Sequence, residues 1–408
     1  MTMGAESSSR RNSVGETTLN GTAIEAVRRQ FSRMADEKDS YIHKTNFLKS
    51  TEMYMEKELQ EAVFKTIESF SNHKCKLSLK GFAHFADLML GTSDTKAECL
   101  LLFGLSLDEI VKSVTSSFLK LEKCAAHDSH LLVDFIMKNA PKEEPLTTVS
   151  VSKWLLSTAS LYAMVERVFE MFILGKNTHY LPELSASTVL SPSVMVVIAS
   201  YLTDEYRKKW TVLFDSSCHG ESFSKLLAAV NSTGACLVII ETTKGHVFGG
   251  FSSDGFVCGP KYTGDSRCFL FEYKPKIDIH TATGYNANYA YLNYQQATFP
   301  NGLGMGGHDE SWSFFLSEEF GKGKCAPNIC TFEPCWLAGE DEFTVKKVEV
   351  WRTGKGKQRK KYDSEGNEII EKEMSALDRD PEATAILELS GKCRHSDGYR
   401  EPPPEECD

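Results

Sequence analysis

Near the middle of the 408-residue chain, Val247-Phe248-Gly249-Gly250-Phe251 sets two aromatic rings around two residues that have no side chain. A strand tolerates adjacent glycines where another element approaches its backbone closely, or where it bends or bulges. Just upstream, Cys236-Leu237-Val238-Ile239-Ile240 is an unbroken apolar run, the pattern of a strand buried on both faces. Downstream, Cys268-Phe269-Leu270-Phe271 is another such run, reached through the turn-rich Tyr262-Thr263-Gly264-Asp265. Short strands separated by Gly- and Asp-containing turns predict an antiparallel sheet and not βαβ units.

The flanking sequence extends this sheet. Gly220 and Ser222 precede Phe223, Leu226, Leu227 and Val230, which share one helical face, and Gly234 follows. Ala290 to Tyr294, Trp312 to Leu316 and Phe343 to Trp351 read as further strands. In the last, Phe343 and Val345 have one parity and Val348 and Val350 the other, so Lys346-Lys347 marks an expected bulge that resets the register. Gly302-Leu303-Gly304-Met305-Gly306-Gly307 resembles a dinucleotide-binding run, but no convincing buried strand precedes it and no helix start follows. A glycine-rich turn or loop against the sheet is the expectation there.

The amino-terminal half reads as helices. Residues 1–20 are polar and Ser-rich, the composition of a disordered tail. If translation begins at Met3, Met3-Gly4-Ala5-Glu6-Ser7-Ser8 fits the N-myristoylation pattern with Gly4 acylated; if it begins at Met1, Gly4 is an ordinary tail glycine. Ala26, Val27, Phe31 and Met34 form one apolar face, and Val63, Phe64, Ile67 and Phe70 another. An EF-hand loop with Ile42 at its eighth position would have Ala35 first, Glu37 third, Asp39 fifth, Ser40 sixth and Asn46 twelfth. It lacks the first carboxylate, the turn glycine and the bidentate glutamate. A second loop, with Leu77 or Leu79 eighth, puts Lys74, Cys75 and Lys76 where ligands belong. The region is therefore EF-hand-like and without a calcium ligand set. Further helices begin at Leu107 and Leu131, and Val165, Val168, Phe169 and Phe172 make a core stripe on another. Pro182 and Pro192 bracket a linker.

After Trp351 a basic run, Lys355 to Lys361, precedes a strong helix start. Asp380-Pro381-Glu382 supplies a cap, a proline at the first position and an acid in the first turn. Ala383, Ile386, Leu387 and Leu389 follow on this short amphipathic segment, and Gly391 ends it. Such a helix either lies back on its own domain or enters a partner's groove.

Composition narrows the chemistry. A net charge of −10 argues against non-specific nucleic-acid binding, and no nucleic-acid partner is expected. The 12 cysteines form no regular framework and several lie within apolar runs, which fits a reducing compartment. Apolar runs such as Val194 to Ala199 fall far short of the ~20 residues of a membrane span, and no signal-peptide pattern is present. Cys218-His219 is adjacent, poor geometry on a strand for a nucleophile and its base. Cys325, Cys330 and Cys335, with His308 upstream, lack the close pair of a zinc site. No catalytic residue, metal or cofactor is assigned.

From Trp210 to Trp351 the chain resembles a TLDc domain. The resemblance rests on Trp210, Leu213-Phe214, His219-Gly220, Ser222-Phe223, Val247 to Phe251, Gly264-Asp265, Cys268 to Phe271, Gly302 to Gly307, Phe320 to Gly323, Cys330 to Phe332 and Val348 to Trp351. Phe248, Gly249, Gly250, Phe251, Gly302, Gly304, Gly306 and Gly307 are its structural signature. After Gly307 the family pattern has a further glycine near an aromatic, and here His308-Asp309-Glu310-Ser311-Trp312 stands instead. The resemblance implies an α+β chain divided as tail 1–20, helical EF-hand-like region 21–190, TLDc β-sandwich 191–353 with flanking helices, and 354–408 with the basic linker and carboxy-terminal helix. It implies protein–protein contact with the cytosolic sector of the vacuolar-type proton pump (V-ATPase), and protection against oxidative stress. The order of segments resembles the lysosome-associated, mTOR-interacting branch of the family. That branch implies a non-enzymatic monomeric regulator in the cytoplasm and on the cytosolic face of the lysosomal membrane, with components of the mTOR complex as further partners. Two other expectations stand beside it: an antioxidant enzyme using Cys218 or Cys268, and a calcium-responsive adaptor.

Overall fold

The computed structural model describes residues 19–37, 40–71, 73–308 and 311–354, with two short strands at 361–362 and 368–369. Two compact units divide the chain, residues 1–357 and 358–408. In the second, Lys361–Tyr362 pairs antiparallel with Glu368–Ile369. The tail around Gly4, Lys355 to Lys360 of the basic run and the predicted helix at Asp380 to Leu389 lie outside the described residues.

The first unit opens with two helix–loop–helix pairs. They are α1 (Gly21–Met34) with α2 (Lys44–Thr51), and α3 (Lys57–Ser71) with α4 (Leu79–Leu90). The Asn20 side chain caps α1 and Ser78 caps α4, each accepting an otherwise unpaired first-turn N–H. The loops meet through a short ladder, β1 (Ile42–His43) against β2 (Lys76–Leu77), with Ile42 opposite Leu77. The helical layer continues through α5 (Ser93–Leu101), α6 (Leu107–Leu121), α7 (Ser129–Met137), α8 (Thr148–Ser157), α9 (Ala159–Leu174) and α10 (Pro192–Ser200). Ser106 and Glu109 form a capping box that starts α6. The predicted stripe Val165, Val168, Phe169 and Phe172 is fully buried on α9.

The strands that follow are β3 (Glu183–Leu184), β4 (Lys209–Asp215), β5 (Cys236–Thr242), β6 (Val247–Ser252), β7 (Gly259–Thr263), β8 (Phe269–Lys274), β9 (Asp278–Thr281), β10 (Ala290–Asn293), β11 (Gly302–His308), β12 (Ser311–Ser317), β13 (Lys322–Lys324) and β14 (Glu342–Thr353). Their hydrogen-bonded order is β10-β11-β12-β13-β14-β5-β6-β8-β9, with β4 joined to β14 and β3 to β4. Every pairing on this path is antiparallel, as the turn pattern predicts; β3 runs parallel to β4. The short helices α11 (Asp204–Arg207), α12 (Ser216–His219) and α13 (Phe223–Val230) flank the sheet. Two expectations are corrected here. The Gly302 to Gly307 run is no turn or loop but the body of β11. Cys218-His219 lies in the helical turn α12 and not on a strand.

The sheet folds back on itself. Strand β6 is far from β11 and β12 in the hydrogen-bonded order, yet Phe248 meets Phe314 of β12 at 6.1 Å between ring centroids, and a Cβ on Gly250 would lie 2.5 Å from Met305 Sδ of β11. The sandwich so formed encloses Val238, Ile240, Phe248, Leu270, Leu303, Met305, Phe314, Phe343, Val348 and Val350. The opposite face of β5, β6 and β8 presents Leu237, Ile239, Phe251, Phe269 and Phe271 to a second core, which is continuous with the interior of the helical layer. Asp128 accepts from the Tyr273 hydroxyl, and Lys138 pairs with Asp278 at 2.9 Å, so polar contacts also tie helices to sheet. The apolar runs of β5 and β8 are unbroken because each face has its own core. On β14, Val345 lies opposite Thr242 while Lys347 lies opposite Glu241, so Lys346 is the inserted residue. That bulge keeps Phe343, Val345, Val348 and Val350 on the sandwich side despite their change of parity. Phe248→Ala is expected to lower the unfolding free energy by about 3–5 kcal/mol in urea titration, with an unchanged dependence on denaturant; a near-neutral result would contradict this placement.

Candidate interaction surface

The signature residues build the platform from within. Phe248 and Phe251 are three positions apart on β6 and face opposite cores. Phe248 meets Phe343 edge-on at 5.4 Å, whereas Phe251 meets Phe269 at 5.4 Å and Tyr206 at 5.6 Å. Gly249 is required by close approach: a Cβ there would lie 1.9 Å from the Val238 carbonyl oxygen. None of Phe248, Gly249, Gly250 and Phe251 reaches the surface.

Gly302, Gly304 and Gly307 perform a related task on the outward face. A Cβ on Gly304 would meet Phe315 at 2.8 Å and Trp312 at 2.9 Å, and one on Gly307 would meet Trp312 at 2.4 Å. Gly306 adopts φ +67°, and its missing Cβ would point inward, toward Ser313 and Phe332. The bare backbone of β11 thus lets rings from its neighbours lie flat across it. Tyr291, Trp312 and Phe315, with Tyr262 against them, form a separate aromatic cluster there, with Trp312 at 5.1 Å from Tyr291 and 4.8 Å from Phe315.

Beside this cluster runs a groove of about 780 Å³. Trp312, Phe315 and Phe343 line it, and exposed Lys322, Lys324, Glu342 and Thr344 stand around it. Glu319 pairs with Lys322 at 2.9 Å, so both signs of charge are present. An aromatic floor with a mixed polar rim is the surface composition of protein–protein contacts. The residues at the predicted partner helix, Ala383, Ile386, Leu387 and Leu389, lie outside the described residues, as does Gly4.

Sequence reasoning missed the buried charges that fix this platform. Glu349 is 1% exposed and accepts from Thr188 Oγ1 at 2.7 Å, the Val189 N–H at 3.1 Å, Lys347 Nζ at 2.8 Å and Trp351 Nε1 at 2.9 Å. It clamps the segment entering the sheet domain onto β14. Glu122 is likewise buried, accepting from Arg167 Nε at 3.0 Å and from the Tyr180 N–H at 3.2 Å. Glu272 lies 3.0 Å from His280 Nε2 within the β8–β9 hairpin. The signal was a single acid within an apolar strand, Val348-Glu349-Val350-Trp351, since a carboxylate buried there must be paired.

The buried thiols are placed for packing. Burial pushes up the thiols of Cys236, Cys268 and Cys335, and that of Cys325 to about 11. A buried, protonated Cys268 is the reverse of an attacking thiolate. Cys218 is exposed, and its neighbour His219 engages Asp215 instead, with the Asp215 N–H 3.0 Å from Nδ1. Among the described residues, no group of three His, Cys, Asp or Glu side chains is disposed to hold a metal ion. No helix among them is long and apolar enough to cross a membrane.

A family model described as the TLDc domain matches residues 184–354. Residues 184–354 are a TLDc domain. The match starts at β3, upstream of Trp210, and so includes the segment clamped by Glu349. Over 219 residues the chain is 42% identical to the MTOR-associated protein MEAK7 of Gallus gallus, covering 53% of this chain and 45% of that protein. Over 221 residues it is 39% identical to the Homo sapiens protein of the same name, covering 54% and 47%. The Oxidation resistance protein 1 of Yarrowia lipolytica is more distant, 26% identical over 179 residues, covering 39% of this chain and 74% of that protein. The similarity to the MEAK7 proteins extends beyond the TLDc domain, and the chain spans about half the length of the MEAK7 relatives it matches.

One acid among the residues that carry the TLDc resemblance gives a pH prediction. Asp265 is held at a pKa of about 2 by hydrogen bonds from Arg267, against burial that opposes this. Its folded-state pKa lies below the unfolded value, so its contribution is present above the ordinary aspartate range and is lost as pH falls toward 2. Urea unfolding across this acid range is expected to show a shallower loss of stability for Asp265→Asn than for the unmodified chain.

Proposed function

We propose that the chain is a non-enzymatic regulator linked to mTOR signalling, whose TLDc sheet grips another protein. The supporting observation is the 39–42% identity to proteins named MTOR-associated protein MEAK7, over a stretch that joins the TLDc domain to sequence beyond it. The relatives named Oxidation resistance protein 1 support a link to oxidative stress through the same domain. The resemblance of the domain order to the lysosome-associated branch supports the cytosolic sector of the V-ATPase as the partner, reached at the lysosomal membrane.

In this reading the outward face of β12, β13 and β14 is the main contact, and the aromatic-floored groove accepts a protruding segment of the pump. The segment Asp380 to Leu389 makes a second contact through Ala383, Ile386, Leu387 and Leu389. Two linked contacts raise avidity without either being strong. Acylation at Gly4 adds a membrane contact, marginal by itself as a single chain. The buried thiols favour a binding role over peroxide chemistry, and Cys218→Ser and Cys268→Ser are expected to leave stress protection intact.

Capture from detergent-solubilised lysosomes, read by mass spectrometry, is expected to return V-ATPase cytosolic subunits with the unmodified chain. Thr344→Arg, which places a long cation over the groove, is expected to reduce that capture several-fold at an unchanged melting temperature. Leu387→Asp is expected to do the same. Full retention of the pump by both variants would remove the proposed contacts; failure of the unmodified chain to capture it would remove the partner.

A further inference from the structure

The EF-hand-like region keeps the frame of a calcium-sensing pair while its ligand set is replaced. With Ile42 and Leu77 eighth in their loops, the sixth positions are Ser40 and Cys75. Both adopt the left-handed conformation at φ +59°, the turn that glycine ordinarily supplies at this position. The ladder Ile42↔Leu77 joins the loops side by side. The first and twelfth positions are Ala35 and Asn46 in one loop and Phe70 and Gly81 in the other. The seventh-position carbonyl of the first loop, on Tyr41, accepts the Asp36 N–H at 2.9 Å. Lys76, seventh in the second, sets its ammonium 5.5 Å from the centre of the Tyr41 ring, and the Glu68 carboxylate accepts the Cys75 N–H.

In a responsive pair, calcium exposes an apolar groove that then takes up an amphipathic partner helix. Here that space is occupied. The Phe172 ring of α9 stands edge-on to Phe47 of α2 at 5.6 Å, and to Phe82 and Phe85 of α4 at 5.4 Å and 6.1 Å. Phe169, one turn earlier on α9, meets Phe85 at 5.9 Å. Gln30 of α1 donates to the Phe172 carbonyl at 3.3 Å. All five rings are fully buried. Two aromatic anchors three residues apart, gripped by three of the four helices, are the pattern of a target helix in its groove.

We infer that α9 is the bound target helix of this EF-hand-like pair, held in cis, and that calcium leaves the fold of residues 21–174 unchanged. The pair holds the helical layer together and carries no calcium signal. Arg167 of α9 and the Tyr180 N–H beyond it share the buried Glu122 carboxylate, so the grip on α9 also positions the segment that leads to the sheet.

Hydrogen exchange of the full chain, read by mass spectrometry, tests this. Exchange through α1 to α4 and α9 is expected to superimpose in millimolar calcium and in chelator, with α9 protected as long as α1 and α4. Phe172→Ala is expected to speed exchange in α1, α2, α4 and α9 together by about tenfold or more, while β5 and β6 keep their protection. Phe172→Leu, which refills most of the space, is expected to restore most of it and serves if the alanine variant does not fold. A calcium-dependent change anywhere in α1 to α4 would overturn the inference. So would release of α9 before its neighbours, or equal loosening of helices and sheet by both variants.

Discussion

The two-sided burial of β5, β6 and β8 is the constraint from which the architecture follows. A strand with apolar side chains on both faces cannot sit at a surface, and its backbone must be paired on both edges. The chain meets the first demand with two unlike partners. On one side the sheet doubles over and supplies its own cover; on the other the helical layer does so. At Gly250 the doubled-over sheet comes so close that a methyl group would collide with the Met305 sulfur, and at Gly249 one would collide with the Val238 carbonyl of the neighbouring strand β5.

Much of this was legible in local pattern. The runs at Cys236 and Cys268, the parity change across Lys346-Lys347 and the helix beginning at Phe223 are set by neighbours within a few residues, and periodicity reports them directly. The glycine run of β11 does not show itself as a strand in the sequence, for a physical reason. The side chains that define its outward face are Trp312 and Phe315, which belong to β12, so the strand has no alternation of its own there. The first EF-hand-like loop was placed correctly by Ile42, whereas Leu77 and Leu79 could not be told apart without the ladder that selects Leu77. The groove and the contact of helices with sheet were not legible, because Asp128 with Tyr273 and Lys138 with Asp278 are joined only by the fold.

The buried carboxylates have a different role from the apolar cores. Replacing a buried ion pair by apolar residues is often neutral, but removing one partner leaves a stranded charge and is strongly destabilising. Glu349 and Glu122 thus add little that a methyl-rich core would not, yet they forbid alternatives. A slip in the seating of residues 188–189 or 179–180 would strand a carboxylate. Each fixes a connecting segment, and together they set where the helical layer meets the sheet.

The shared strand β14 has a mechanical consequence. Its first part bonds to β13 beneath the outward groove, its last part to β4, and β5 lies along most of its other edge. The two leaves of the sandwich therefore have no independent hinge between them. A load placed on the rim by a bound protein travels through covalent backbone and ladder hydrogen bonds to Trp351, on the far side, where that strand faces the helices. Such a body transmits force stiffly, and a partner that moves must carry the whole first unit with it.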